Sequence, residues 1–151
     1  MTHSPAWPLR IYYDRSCPLC RQEMHGLKAG DAAQRIELVD CSATELADAD
    51  AAREGVSVES MRQIIHARDA AGTWYRGVEV FVIAYQAVGL GGMARLWSHP
   101  WLRPLWERLY PWFARNRMRL SRFGVAGLYG ALVRRAAKRA ARRSQACRDQ
   151  V

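Results

Sequence analysis

The stretch LRIYYDRSCPLC, residues 9–20, decides how the rest of the sequence is interpreted. Its first five residues are rich in branched and aromatic side chains, which predicts a short β-strand over residues 9–13. Pro18 suits the first position of a helix, because its fixed φ fits the helix and its missing N–H removes no bond. A helix should therefore begin at Cys17 and run to about Ala29, with Gly30 ending it.

The residues that follow extend this beginning into an alternating pattern. Residues 35–40 predict a second strand, and the capping box at residues 42–45 predicts a helix that ends near residue 55. Residues 63–68 and 73–76 predict two strands joined by a hairpin turn, and a third apolar helix follows from residue 77 toward residue 89. The order β-α-β-α-β-β-α indicates an α/β domain.

Length and composition set limits on the class of protein. The chain has 151 residues, of which 50% are hydrophobic and 25% charged, so it can bury a core. Four cysteines are too few for a disulfide scaffold. The longest nearly uncharged run, residues 80–94, is shorter than a membrane span, and residues 1–7 lack the pattern of a signal peptide. A cytoplasmic location is the default expectation.

Charge divides the chain into two unequal parts. Residues 1–94 carry 9 Lys/Arg and 12 Asp/Glu, whereas residues 95–151 carry 14 Lys/Arg and 2 Asp/Glu. The balance is −3 in the first part and +12 in the second. We therefore expect a core at residues 1–92 and a Trp/Arg-rich helical extension at residues 93–151, packed on the core or projecting from it.

The pair Cys17 and Cys20 carries the sharpest chemical signal. Residues three apart lie on one face of a helix, about 5–6 Å apart at Cβ, so a disulfide between them needs little adjustment. The positive end of the helix dipole favours a thiolate at Cys17, which makes Cys17 the attacking thiol and leaves Cys20 to resolve the mixed disulfide. Half a zinc site and an inert pair remain as alternatives.

Three stretches together resemble one known family. The motif of Tyr13, Asp14, Cys17 and Cys20, the segment 72–81 and the segment LYPWFARNRMRL at 109–120 are similar to the DCC family of thiol-disulfide oxidoreductases. The resemblance covers about residues 9–123. It implies a thioredoxin-like fold and oxidoreductase activity. We expect a protein or small-molecule thiol or disulfide as the substrate, and no bound cofactor beyond the cysteines.

By motif position, the resemblance makes Asp14, Cys17 and Cys20 the candidate catalytic residues. Asp14 could accept a proton during exchange, or it could be a turn residue whose side chain binds the backbone two residues on. One departure concerns the segment SMRQ at 60–63, which precedes a predicted strand. Thioredoxins and glutaredoxins carry a cis-proline in this place, and the segment has no proline.

Other cysteines, histidines and arginines near the motif have two interpretations each. Cys41 follows the second strand and is either a third thiol at the same sheet edge or a small buried hydrophobe. His25 and His66 are expected to be hydrogen-bonded or solvent-facing rather than metal ligands. The arginines beside the motif could stabilise a thiolate or be merely solvated; they are Arg15 and Arg21. Cys147, in the basic tail, is expected to be an incidental exposed thiol.

The basic extension suggests a docking surface. Four tryptophans lie among arginines in residues 93–118, and residues 134–143 predict an Ala-rich cationic helix. Rings and cations together suit packing on the core, an anionic membrane or membrane protein, or a partner groove, and nucleic acid is less favoured. We expect peripheral, salt-sensitive binding to anionic vesicles that is lost on deleting residues 134–151. A non-catalytic thioredoxin-like module that docks through these helices is the alternative function.

Overall fold

The computed structural model describes residues 4–42 and 48–122, and the single positions 131, 135 and 139. The order of elements follows the predicted order, with additional helices. The elements are β1 (Leu9–Tyr13), α1 (Pro18–Ala29), β2 (Ile36–Asp40), α2 (Ala49–Arg53), α3 (Val58–Gln63), β3 (His66–Arg68), β4 (Trp74–Arg76), α4 (Val78–Ala87), α5 (Gly91–Ser98) and α6 (Arg103–Arg122).

The described strands form one mixed sheet in the order β2-β1-β3-β4. β1 and β2 are parallel, with Leu9 opposite Ile36, because α1 carries the chain back across the sheet between them. β3 pairs antiparallel with β1, and β4 pairs antiparallel with β3 through the predicted hairpin. This arrangement confirms the α/β, thioredoxin-like fold and puts β1, which leads into the dithiol, inside the sheet.

Both faces of β1 are covered by helices. Leu9 and Ile11 belong to the main core, where they pack with side chains of α1 and α4 such as Met24 and Val80. Tyr12 points to the other face and belongs to a second cluster that includes Met61 of α3. The alternation follows from the two-residue period of a strand. The end of β1 is therefore held from both sides, which fixes the position of the turn that follows.

The middle of the chain differs from the sequence prediction in detail. Residues 58–63 form α3, capped by the Ser57 side chain on the N–H of Ser60, and the strand predicted from residue 63 begins only at His66. Met61 is the buried residue of this short helix, and one buried position is too few to give a periodic apolar pattern in the sequence. Asp48 caps α2 at Ala49, and residues 43–45 of the predicted capping box lie outside the described residues.

Two further helices, α5 and α6, follow the core. α4 ends at Ala87, Gly89 has a φ of 74°, and Gly91 and Gly92 lie in the first turn of α5. The ring of Trp97 stacks on Phe81 of α4 at 5.4 Å between centroids, which packs α5 on the core. None of the helices in the described part of the chain is long and apolar enough to cross a membrane. The division at residue 92 stays a prediction.

Candidate functional site

The two motif cysteines lie where β1 turns into α1. Cys17 is the N-cap residue of α1, and its Sγ accepts the backbone N–H of Cys20 at 3.3 Å. Pro18 occupies the first turn, as its fixed φ predicts. Cys17 is fully buried and Cys20 is partly buried, which is the opposite of what an open attacking thiol would show.

The two thiols shift each other's pKa in opposite directions. The pKa of Cys17 is lowered to about 6, first because the Cys20 thiol donates a hydrogen bond to it; burial opposes this effect, and the Cys20 N–H and the charge of Arg117 add to it. The pKa of Cys20 is raised, because its proton is held by Cys17 and because it is buried. The sequence attributed the low pKa to the helix start, and the structure makes the second thiol the larger cause.

Asp14 closes the turn before the dithiol. Its Oδ1 accepts the backbone N–H of Ser16 at 3.0 Å and the Ser16 hydroxyl at 2.5 Å, which is the turn geometry considered for it in the sequence. Its Oδ2 accepts Nη2 of Arg117 at 2.5 Å. Asp14 therefore links the motif loop to α6, and its role in proton transfer stays a prediction.

Arg117 is one of two residues of the site that sequence reasoning missed. It comes from α6, a hundred positions after the motif, and its Nη2 also donates to the backbone carbonyl of Arg62. The side chains of Arg117 and Asp14 are only 13% and 11% exposed. Arg15 and Arg21, the neighbours named from the sequence, are exposed. The available signal was the ARNR segment at 114–117 within the family-like stretch.

Helix α6 also bonds the backbone just before β3. The Ile65 N–H donates to the hydroxyl of Tyr110 at 3.3 Å, and the Arg62 carbonyl accepts Arg117. This is the place where the sequence lacks the proline of thioredoxins. Two backbone groups there are already bonded by this chain's own side chains, so a peptide substrate could not pair with them without displacing α6.

A small cavity of about 30 Å³ lies beside the Cys20 side chain. Asp14, Glu23 and Arg117 are among the residues that line it, and its size admits a water molecule. Glu23 is buried, its Oε1 accepts the hydroxyl of Tyr85 at 2.7 Å, and its charge contributes to the raised pKa of Cys20. Sequence reasoning missed Glu23 because a helical glutamate is usually solvated.

Cys41, His25 and His66 each have a contact of their own in the structure. Cys41 is buried beside Met61, with 3.9 Å between the two sulfur atoms, and burial raises its pKa to about 12, which fits the small-hydrophobe interpretation. His25 is hydrogen-bonded to the Tyr13 hydroxyl at 2.9 Å, and His66 to the Ile64 carbonyl at 2.7 Å. Cys147 and residues 140–151 lie outside the described residues, and within the described ones no three His, Cys, Asp or Glu side chains cluster as metal ligands.

The Cys-x-x-Cys motif lies between β1, a strand inside the mixed sheet, and α1, the first helix. This arrangement defines the class of thioredoxin-like proteins. The model of the DCC1-like thiol-disulfide oxidoreductase family matches residues 11–123, which include the dithiol, Asp14 and Arg117. The chain therefore belongs to the DCC1-like thiol-disulfide oxidoreductase family, as the resemblance predicted, and this membership supports a redox role.

One curated relative is an uncharacterised chloroplastic protein of Arabidopsis thaliana. It is 28% identical over 116 residues, which is 76% of this chain and 53% of the relative. The chain thus spans about half the length of that relative. No solved structure matches the chain.

Proposed function

We propose that this protein is an enzyme that exchanges thiols and disulfides through Cys17 and Cys20. The observation that carries the proposal is the placement of the two cysteines at the beginning of α1, where Cys17 is the N-cap residue and its Sγ accepts the backbone N–H of Cys20 at 3.3 Å. In this arrangement the pKa of Cys17 is lowered to about 6 and that of Cys20 is raised. The thiolate is the nucleophile in disulfide exchange, so this pairing prepares one sulfur to attack while the other keeps its proton. Membership of the family supports the same chemistry.

The exchange conserves atoms and electrons in two steps. First, the Cys17 thiolate attacks one sulfur of a substrate disulfide; that S–S bond breaks, and the other substrate sulfur leaves and takes a proton. Second, Cys20 loses its proton and attacks the Cys17 sulfur, which releases the second substrate thiol and forms the Cys17–Cys20 disulfide. The substrate gains two electrons and two protons, and the protein's dithiol is oxidised. The reverse reaction uses the same atoms.

The second step needs a base, because the pKa of Cys20 is raised. Asp14 shares the small cavity with Cys20, and a water in that cavity could pass the proton to its carboxylate. From the described residues its two oxygens accept three hydrogen bonds, and a carboxylate has roughly four acceptor positions. We assign proton acceptance to Asp14, with Glu23 as the competing group on the same cavity.

Access to Cys17 requires local motion. Cys17 is fully buried and packs with Leu19 and Cys20 in a small cluster at the beginning of α1. A substrate sulfur can reach the thiolate only when this cluster opens. Selectivity for small or flexible disulfides over folded protein surfaces follows from this burial.

The test is a titration of the free thiols against a series of redox buffers. We expect one reversible two-electron couple in the unmodified protein and in Cys41→Ser, and no such couple in Cys17→Ser or Cys20→Ser. Cys20→Ser should also accumulate a mixed disulfide on Cys17. If the unmodified protein shows no reversible couple, the enzyme assignment fails and the non-catalytic binding module replaces it.

The assignment of roles has its own measurement. We expect the Cys17 thiol of Cys20→Ser to alkylate faster at neutral pH than the Cys20 thiol of Cys17→Ser, because its pKa is the lower one. Burial slows alkylation at Cys17, so the dependence of the rate on pH is compared as well as the rate itself. If the pH at which the alkylation rate is half-maximal is higher for Cys17 than for Cys20, the roles of the two cysteines are reversed.

A further inference from the structure

Helix α6 is held on the core along one side. Its Tyr110 hydroxyl accepts the Ile65 N–H, Trp106 contacts Trp97 of α5 with 4.9 Å between ring centroids, and Arg117 binds Asp14. These contacts are spread over three turns of the helix. They fix the rotation of α6 about its own axis, so the other faces of the helix cannot turn inward to hide their residues.

An apolar stripe lies roughly 110° around α6 from this packed side. We define the α6 stripe as Leu105, Leu109 and Trp112, which are 48%, 45% and 55% exposed; Trp101, which is 88% exposed, lies in the turn just before α6. The spacing of four and three residues places these three side chains along one face of α6. Large apolar side chains that are exposed singly are ordinary, but a contiguous row marks an interaction surface.

A row of arginines runs beside the stripe. Arg108, Arg115 and Arg119 are exposed and lie seven and four positions apart, so they share a face. At 100° per residue that face is roughly 60° around the helix from the stripe. Residues 91–122 contain seven arginines and one acidic residue, Glu107, which pairs with Arg103 at 2.8 Å. The surface is thus apolar along one line and cationic along the next.

We propose that the α6 stripe and its arginine row dock on an anionic lipid bilayer. Helices that lie in a membrane interface combine tryptophan and leucine on one face with cations at its border, as α6 does. Indole rings favour the headgroup level, and arginines gain from the negative surface potential. Single-stranded nucleic acid would use the cations and the rings, but Leu105 and Leu109 offer no ring on which a base could stack.

Docking would bring the dithiol close to the lipid. Arg117 of α6 contacts Asp14 in the motif loop, and Leu109 and Trp112 of the stripe line one cavity with Leu19 of α1, so no more than one helix diameter separates the loop from the docked face. A helix with its side chains is about 10–12 Å across. The proposal is independent of exchange chemistry, because binding to vesicles is measured without any redox step.

The experiment uses the full chain and vesicles of phosphatidylglycerol with phosphatidylcholine, or of phosphatidylcholine alone, at low and high salt. We expect co-sedimentation with the anionic vesicles at low salt, weakened by high salt, and a blue shift of the tryptophan emission on binding. The triple variant Leu105→Gln, Leu109→Gln, Trp112→Gln keeps the net charge. It should bind at least tenfold more weakly, and the half-exposed positions should leave the unfolding midpoint nearly unchanged.

A matched pair of charge variants separates the arginine row from net charge. Arg108→Gln, Arg115→Gln, Arg119→Gln removes three positive charges from the row. Arg35→Gln, Arg53→Gln, Arg76→Gln removes three exposed charges elsewhere. We expect at least a tenfold loss of binding in the first variant and less than a threefold loss in the second.

Several outcomes would overturn the proposal. They are no binding of the unmodified protein or no blue shift, equal losses in the two charge variants, and unchanged binding by the stripe variant. Loss of binding only on deleting residues 134–151 would assign lipid binding to the tail. Binding to a single-stranded oligonucleotide that exceeds vesicle binding and survives the stripe substitutions would assign the surface to nucleic acid.

Discussion

The ion pair between Asp14 and Arg117 joins α6 to the motif loop, and we expect it to contribute to stability. Both side chains are nearly buried, at 11% and 13% exposed, so solvent screens the pair weakly. Arg117→Gln would leave the Asp14 carboxylate without its cation and the Arg62 carbonyl without its donor. Breaking one partner of a buried pair costs about 3–5 kcal/mol, and the remaining exposure puts our expectation near the lower end, about 3 kcal/mol.

This loss is large enough to measure. For a domain of about 150 residues, ~3 kcal/mol lowers the unfolding midpoint by roughly 6–12 °C. The control is Arg115→Gln, two residues away on the same helix and exposed, which should change the midpoint by less than ~2 °C. The pKa of Cys17 should also rise in Arg117→Gln, because the Arg117 charge helps to lower it. It should stay below the free value, because the Cys20 hydrogen bond remains.

A double-mutant cycle decides whether the two residues act together. Asp14→Asn and Arg117→Gln should cost similar free energies of unfolding, and the double variant should cost clearly less than their sum. The reasoning is refuted if the costs add, or if Arg117→Gln is no more destabilising than Arg115→Gln.

Three further predictions follow from the same geometry. In the reduced protein, the folded pKa of Cys17 (about 6) lies below its unfolded value of about 8.5, so its thiolate stabilises the fold fully above pH ~8.5 and this contribution is lost as the pH falls toward 6. The difference in unfolding free energy between unmodified protein and Cys17→Ser should therefore grow by up to ~1.4 kcal/mol per pH unit over that window; a flat difference contradicts it. Asp14→Asn should slow the release step of single-turnover exchange about a hundredfold, more than its stability loss accounts for, whereas Glu23→Gln should change the rate less than ~3-fold; the reverse ranking moves the base to Glu23. Cys41→Ala should cost about 1 kcal/mol of stability and leave the redox couple intact, and loss of the couple would make Cys41 a third exchange thiol.

Much of the fold could be predicted from local pattern. β1, the turn and α1 are specified by neighbours in sequence: branched and aromatic residues, Pro18, and Gly30 as the C-cap of the helix. The helix beginning near Gly77 was predicted in the same way and is present as α4. The short α3 was not predicted, because its six residues bury only Met61 and its apolar period is too brief to register.

Some residues of the candidate site could also be predicted from local sequence, and others could not. Cys17 and Cys20 could be named because their chemistry depends on a three-residue spacing and a helix start, both local properties. Arg117 and Glu23 could not be named from the chemistry of their neighbours. An arginine in a basic helix and a glutamate one turn after a cysteine look like solvated residues until the packing partners are known.

The sequence by itself determined the α/β class, the position of the dithiol and the uneven distribution of charge, since each depends on residue type and spacing along the chain. Only the tertiary structure decided which residues surround the dithiol, because α6 reaches the motif loop across 103 positions of sequence. It also decided that Cys17 is buried and that Trp101 is exposed, which no local pattern specifies. Burial and long-range pairing are properties of packed surfaces, and those surfaces exist only once the elements have been brought together.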